Sequence, residues 1–140
     1  MKLGLLATDL LEYSRANLPG SALQSLLNTE NQPIDLRLRG SASWEYRAFG
    51  VVGFVNYTDS YRQFITDSTR TIPSWTTLDL RLTVQLGDSR GQGSTQLALN
   101  VENLFNREPP FVNNGIGVGY DQENGDLLGR LVSFTLKYRW

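Results

Sequence analysis

The chain has 140 residues, with neither cysteine nor histidine. Disulfides and thiolate metal sites are therefore excluded, the redox compartment stays open, and the commonest general base and metal ligand are missing. A net charge of −1 gives no strong overall pull toward nucleic acid, and 40% hydrophobic with 19% charged residues fits a folded domain or one piece of a larger one, not a disordered chain.

The opening "MKLGLLATDLLEY" has one lysine and a short apolar run that breaks at Asp9 and Glu12. No small-residue cleavage site follows a long enough core, so a structural segment is expected there in place of a signal peptide. Strand and helix both stay open for Leu3 to about Arg15. A short helical turn is also open for Ser21 to Asn28, where Ser21 can cap it.

From Ile34 onward the pattern sharpens. Strand side chains alternate between faces, so a period of two reports a sheet lying between two different environments. In "IDLRLRGSASWEYR", Ile34, Leu36, Leu38, Gly40, Ala42, Trp44 and Tyr46 form one face; Asp35, Arg37, Arg39, Ser41, Ser43, Glu45 and Arg47 form the other. "AFGVVGFVNY", Ala48 to Tyr57, is β-branched and aromatic with weaker alternation. "TLDLRLTVQL" sets Leu78, Leu80, Leu82, Val84 and Leu86 against Thr77, Asp79, Arg81, Thr83 and Gln85. "TQLALNVEN" sets Leu97, Leu99 and Val101 against Gln96, Asn100 and Glu102. The closing "GRLVSFTLKYRW" sets Val132, Phe134, Leu136, Tyr138 and Trp140 against Ser133, Thr135, Lys137 and Arg139.

Long connections ("ANLPGSALQSLLNTENQ", "TDSYRQFITDSTRTI", "NREPPFVNNGIGVGYDQENGD") alternate with a minimal turn at Arg47 and the Gly-rich "GDSRGQG". One end of the sheet therefore carries large loops and the other tight turns. The expected fold class is all-β, an antiparallel meander of about six long strands.

Burying the large apolar side chains of the last strand alone is worth on the order of 10 kcal/mol, so a packed core or lipid must cover that face. Three features select lipid. The strands reach about 12 to 14 residues, against about 5 to 6 in globular proteins. Charged residues stand mid-strand on the polar face, as in a hydrated lumen. Aromatics gather near strand ends (Trp44, Tyr46, Tyr57, Trp75, Tyr138 and Trp140), where interfacial girdles belong. A transmembrane β-barrel is thus expected, with a soluble β-sandwich that binds a ligand or serves a structural role as the alternative. About six strands do not close a barrel, because single-chain barrels begin at about 8. Open edges in hydrocarbon would leave backbone groups unpaired. The sheet reads as part of something larger, or as one that pairs with further copies.

Smaller motifs carry less. "GIGVG", Gly115 to Gly119, lacks the third glycine of a dinucleotide fingerprint and reads as a loop. "DQENGD", Asp121 to Asp126, offers carboxylates for a loop cation but misses the calcium-loop spacing; Asn124-Gly125 is otherwise a turn. "NYT", Asn56 to Thr58, is a chance acceptor match. Arg37, Arg39 and Arg81 share the polar parity and would either guide an anionic ligand or pair with acids such as Asp35 or Asp79. Without histidine no Ser/His/Asp set exists, so neither an enzyme nor a cofactor is expected.

"PIDLRLRGSASWEYRAFGVVGFVNYTDSYR", "SWTTLDLRLTVQL", "LALNVENLFNREPPFV" and "GYDQENGDLLGRLVSFTLKYRW", in this order, resemble the late-barrel region of TonB-dependent outer-membrane receptors. The resemblance covers Pro33 to Trp140; the earlier residues match loosely, as a preceding strand and a long external loop. It implies that residues 1–140 are the C-terminal part of such a receptor's transmembrane β-barrel, located in the cell outer membrane. Val132, Phe134, Leu136, Tyr138 and Trp140 would form the terminal signal read by the barrel-assembly machinery. The family's plug domain, its TonB-binding motif and most of its roughly 22 strands are missing. Transport of a siderophore, cobalamin or carbohydrate would belong to the intact parent, not to this chain alone. Implied partners are outer-membrane lipid, the remaining strands and plug, and TonB only through that plug; no nucleic acid is implied. A porin fragment is the other membrane alternative, distinguished by whether the upstream coding sequence encodes a plug.

Overall fold

The computed structural model describes residues 1–65, 68–87, 93–113 and 117–139. Among them there is no helix, and ten strands appear in chain order. They are β1 (Lys2–Asp9), β2 (Ser14–Arg15), β3 (Gln24–Ser25), β4 (Leu36–Tyr46), β5 (Phe49–Thr58), β6 (Tyr61–Ile65), β7 (Ser68–Ile72), β8 (Trp75–Gly87), β9 (Ser94–Glu102) and β10 (Leu131–Arg139). Six of these form one sheet in the order β1-β4-β5-β8-β9-β10, and every neighbouring pair is antiparallel. The all-β class and the six-strand meander are therefore present. Asp88 to Gln92, most of the Gly-rich turn, lie outside the described residues, as does Trp140.

The open readings of the N-terminal third resolve to strand. β1 pairs with β4 from Lys2↔Ser43 to Asp9↔Leu36. The consecutive Leu5 and Leu6 blur its alternation, because one must face the polar side; Leu6 lies opposite Arg39. The Ser21 to Asn28 stretch holds only the short β3, which closes a small hairpin with β2. The second excursion, between β5 and β8, contains the separate β6–β7 hairpin.

Strand ends differ from the periodicity at identifiable places. β4 covers 11 residues and stops short of Ile34 and Arg47. At its start the Asp35 N–H donates to Asn28 Oδ1 at 2.9 Å, and Asp35 Oδ1 accepts the Leu36 N–H. That turn sends Ile34, expected on the apolar strand face, into a core among the loops. At its other end Arg47 takes the left-handed conformation, φ 53°, and turns the chain into β5. Within the six-stranded sheet lengths run from 8 residues in β1 to 13 in β8, bracketing the ~9–11 residues of a tilted membrane-crossing strand.

The enclosed core is not in the sheet. Ile34, Tyr61, Ile72 and Val112 pack together at the long-loop end. They come from the β3–β4 connection, both strands of the β6–β7 hairpin and the β9–β10 connection, so all three long excursions meet there. Each strand of the large sheet, by contrast, is held mainly by its backbone ladder and cross-strand neighbours.

Candidate functional site

Direct cross-strand partners lie on the same face of a sheet, so the register assigns both faces. On one face β4 presents Leu36, Leu38, Gly40, Ala42, Trp44 and Tyr46. Their partners on β1 are Leu3, Leu5 and Ala7, and on β5 Phe49, Val51, Gly53, Val55 and Tyr57. β5 hands the face on to Leu78, Leu80, Leu82 and Val84 of β8, then to Leu97, Leu99 and Val101 of β9, and finally to Val132, Phe134 and Leu136 of β10. Asp9, at the rim of β1, is the single charged residue in this register.

No described element covers this face. Leu5 is 76% exposed, Phe134 66% and Leu136 62%, and Trp44, Phe49, Leu86 and Tyr138 are exposed as well. A monomeric soluble surface seldom presents a contiguous apolar patch beyond a few hundred Å². Val132, Phe134, Leu136 and Tyr138, read from the sequence as a terminal signal, align on it. Trp140, the fifth residue of that set, lies outside the described residues. Trp75, expected in an aromatic girdle, belongs to the opposite face, paired with Thr58. Its parity is that of Thr77 and Asp79, a relation that distance from the strand end does not reveal.

The other face gathers Arg37, Arg39 and Arg81 with Ser41, Glu45, Asn56, Asp79, Asn100, Glu102 and Lys137. The three arginines have different surroundings. Arg37 donates from Nη2 to Asn124 Oδ1, tying β4 to the last loop; its suggested partner Asp35 instead caps Leu36. Arg39 stands over the Phe54 ring at 4.4 Å and has a long ion pair to Asp79, 4.0 Å from Nη2 to Oδ2. Half the Arg39 side chain is exposed, which places this pair among those worth little. Asp79 is better engaged by Asn56 Nδ2 at 2.8 Å and the Asn103 N–H at 3.0 Å. Arg81 is exposed and makes no hydrogen bond or ion pair among the described residues. Together with Arg39, Phe54, Asp79, Asn100 and Glu102 it lines an open cleft of about 420 Å³. Asn56 of the "NYT" match spends its amide inside this network.

The loop end holds a polar network that sequence reasoning missed. Gln63, 1% exposed, donates through Nε2 to Glu30 Oε2 at 3.0 Å and to Asn113 O at 2.8 Å. Asp121, also 1% exposed, accepts from the N–H groups of Asn31 (3.0 Å), Glu123 (2.9 Å) and Asn124 (3.3 Å), and from Asn124 Nδ2 at 2.8 Å. These donors fill the lone-pair sites of a carboxylate. Burial first, and then the neighbouring Asp121 carboxylate, raise the Tyr61 phenol well above its usual range. The acidic loop, whose spacing missed the calcium-loop pattern, is a closed hydrogen-bond hub, and among the described residues no group of three or more acids is gathered as a metal site. Asn124-Gly125 is the turn that forms it, with the Gly125 N–H on Asp121 O at 2.8 Å. A Cβ at Gly125 would press on Pro109 Cβ and Asp121 O at 3.0 and 3.1 Å. Of "GIGVG", Gly115 and Ile116 lie outside the described residues; Gly117 and Gly119 have positive φ in a loop. The signal for the hub was the Asp-x-x-Asn-Gly turn, but nothing local marks Asp121 as buried.

No protein-family model matches this chain, and comparison with curated proteins and with solved structures finds no match either.

Proposed function

We propose that this chain is a section of an outer-membrane β-barrel, the C-terminal part of a TonB-dependent receptor. Its apolar face would meet lipid and its polar face the lumen. The observation that carries the reading is the continuous apolar face running from β1 to β10 with no described element laid over it. The polar face supports it, since charged residues mid-strand suit a hydrated interior. So do the outer edges of β1 and β10, whose backbone groups need further strands in hydrocarbon. On this reading the interlocked loops form an external cap. The exposed side chains of β10 would serve in barrel assembly, and Arg37, Arg39 and Arg81 would line the passage. Nutrient uptake would be the work of the intact receptor.

An antibody raised against residues 120–131 and used on fractionated source cells, boiled and unboiled, tests the proposal. A heat-shifted outer-membrane band much heavier than 15.7 kDa is expected. A soluble band at the mass of this chain would overturn both the membrane and the receptor readings. A heavy heat-modifiable band whose coding sequence lacks a plug would keep the barrel and replace the receptor by a porin.

A further inference from the structure

Among the described residues five non-glycine residues adopt positive φ. Four are Asn28, Asn31, Asn103 and Asn106, the residue type that tolerates this region best; the fifth is Arg47, at φ 53°. An arginine in this conformation stores strain, and such an outlier asks what it secures. Here it sets the Arg47 guanidinium 5.2 Å from the Tyr46 ring centroid. Tyr46 in turn stacks on Trp44, with centroids 5.8 Å apart and planes 15° from parallel, and pairs across the strands with Phe49. Trp44, Tyr46 and Phe49 are 50%, 54% and 56% exposed, all on the apolar face at its tight-turn rim.

Among the described residues Arg47 has no ion-pair partner, the single ion pair there joining Arg39 and Asp79. Glu45 lines one cleft with Arg47, Thr83 and Gln85 but forms no ion pair with Arg47. Lys2, Lys137 and Arg139 share this end of the sheet. The long-loop end, in contrast, concentrates acids, among them Glu12, Glu30, Asp59, Asp121, Glu123 and Asp126. A cation held over an aromatic ring keeps its N–H donors for an anion. Aromatic rings flanked by a basic side chain suit the level where acyl chains meet headgroups.

We infer that the Arg47 turn is a phosphate-anchoring site for anionic lipid. Arg47 donates to the headgroup phosphate, and Trp44, Tyr46 and Phe49 seat the turn in the bilayer boundary. This rests on the membrane reading of the apolar face and adds a defined lipid contact to it. Binding fixes the depth of the β4–β5 hairpin and gives the tight-turn end a preference for an anionic leaflet.

The test is partitioning of the full chain into phosphatidylcholine vesicles with and without phosphatidylglycerol, followed by flotation. The variants are Arg47→Asn, Arg47→Lys and, away from the rim, Arg81→Gln. Asparagine suits φ 53° better than arginine, so Arg47→Asn keeps the turn while removing the charge. The parent chain is expected to favour the anionic vesicles, and Arg47→Asn to lose about fivefold of that preference, the worth of one basic residue at such a surface. Arg47→Lys and Arg81→Gln should retain it. Equal preference in Arg47→Asn and the parent would overturn the site. So would equal losses in Arg47→Asn and Arg81→Gln, which would mean diffuse attraction. Failure to enter either vesicle would overturn the membrane reading itself, an outcome separable from the other two.

Discussion

The sheet and the loop cap solve the same problem in opposite ways. The cap buries Ile34, Tyr61, Ile72 and Val112 around side chains whose hydrogen bonds stay within the chain. The sheet is far larger, yet leaves its apolar face open from Leu3 to Leu136. The cap supplies its own interior, whereas no described element covers the apolar face of the sheet. Perturbations should therefore separate: changes on the apolar face should matter through the surroundings, and changes in the cap through internal packing.

The largest effect is expected from Leu82→Arg, at the middle of β8 on the apolar face. It should cost about 2–4 kcal/mol of insertion into a bilayer, while Thr83→Arg on the neighbouring polar parity changes little. Vesicle partitioning of both variants checks this, and equal effects would erase the distinction between the faces. Of comparable size is Ile72→Ala in the cap, where a fully buried side chain leaves a cavity worth about 2–5 kcal/mol. Amide exchange should quicken in β6 and β7 and stay unchanged in β8; a uniform change would mean that cap and sheet form one cooperative unit.

Asp121→Ala is smaller, about 1–3 kcal/mol, because it strands the Asn31, Glu123 and Asn124 N–H groups without their shared acceptor. Limited proteolysis at residues 26–35 should accelerate in that variant. The smallest effect is one of pH. Tyr61 has its folded-state pKa raised above the unfolded value of about 10. Its contribution is therefore complete below about pH 10 and is lost as pH rises toward the folded value, because only the unfolded chain ionises readily there. Cleavage of the cap by an alkaline-tolerant protease should rise above about pH 10 in the parent and show less added rise in Tyr61→Phe.

The contrast also explains what could be read in advance. β4, β8, β9 and β10 follow from alternation, since each separates two environments and every second residue reports one of them. β5 is legible instead from its β-branched and aromatic content, Val52 and Phe54 standing on the polar parity. β1 stays ambiguous because Leu5 and Leu6 are adjacent. The cap is illegible locally: Ile34, Tyr61, Ile72, Val112 and Asp121 belong to different excursions, and no periodicity links them. In β6 the inward positions include Gln63, a polar residue that a hydrophobic pattern assigns to solvent. The polar-face arginines could be grouped by parity, but their separate fates depend on Asn124, Phe54 and Asp79, which only the register brings near.

The order β1-β4-β5-β8-β9-β10 has a kinetic consequence. Each strand of the large sheet lies beside the next one to be made, and the β2–β3 and β6–β7 excursions close upon themselves instead of inserting between neighbours. Growth can proceed one hairpin at a time, with the last-added strand as the template for the following one. Little loop-closure entropy is then spent on distant pairings, which keeps folding quick for a β topology. At each stage, β10 included, the growing margin is a single exposed strand.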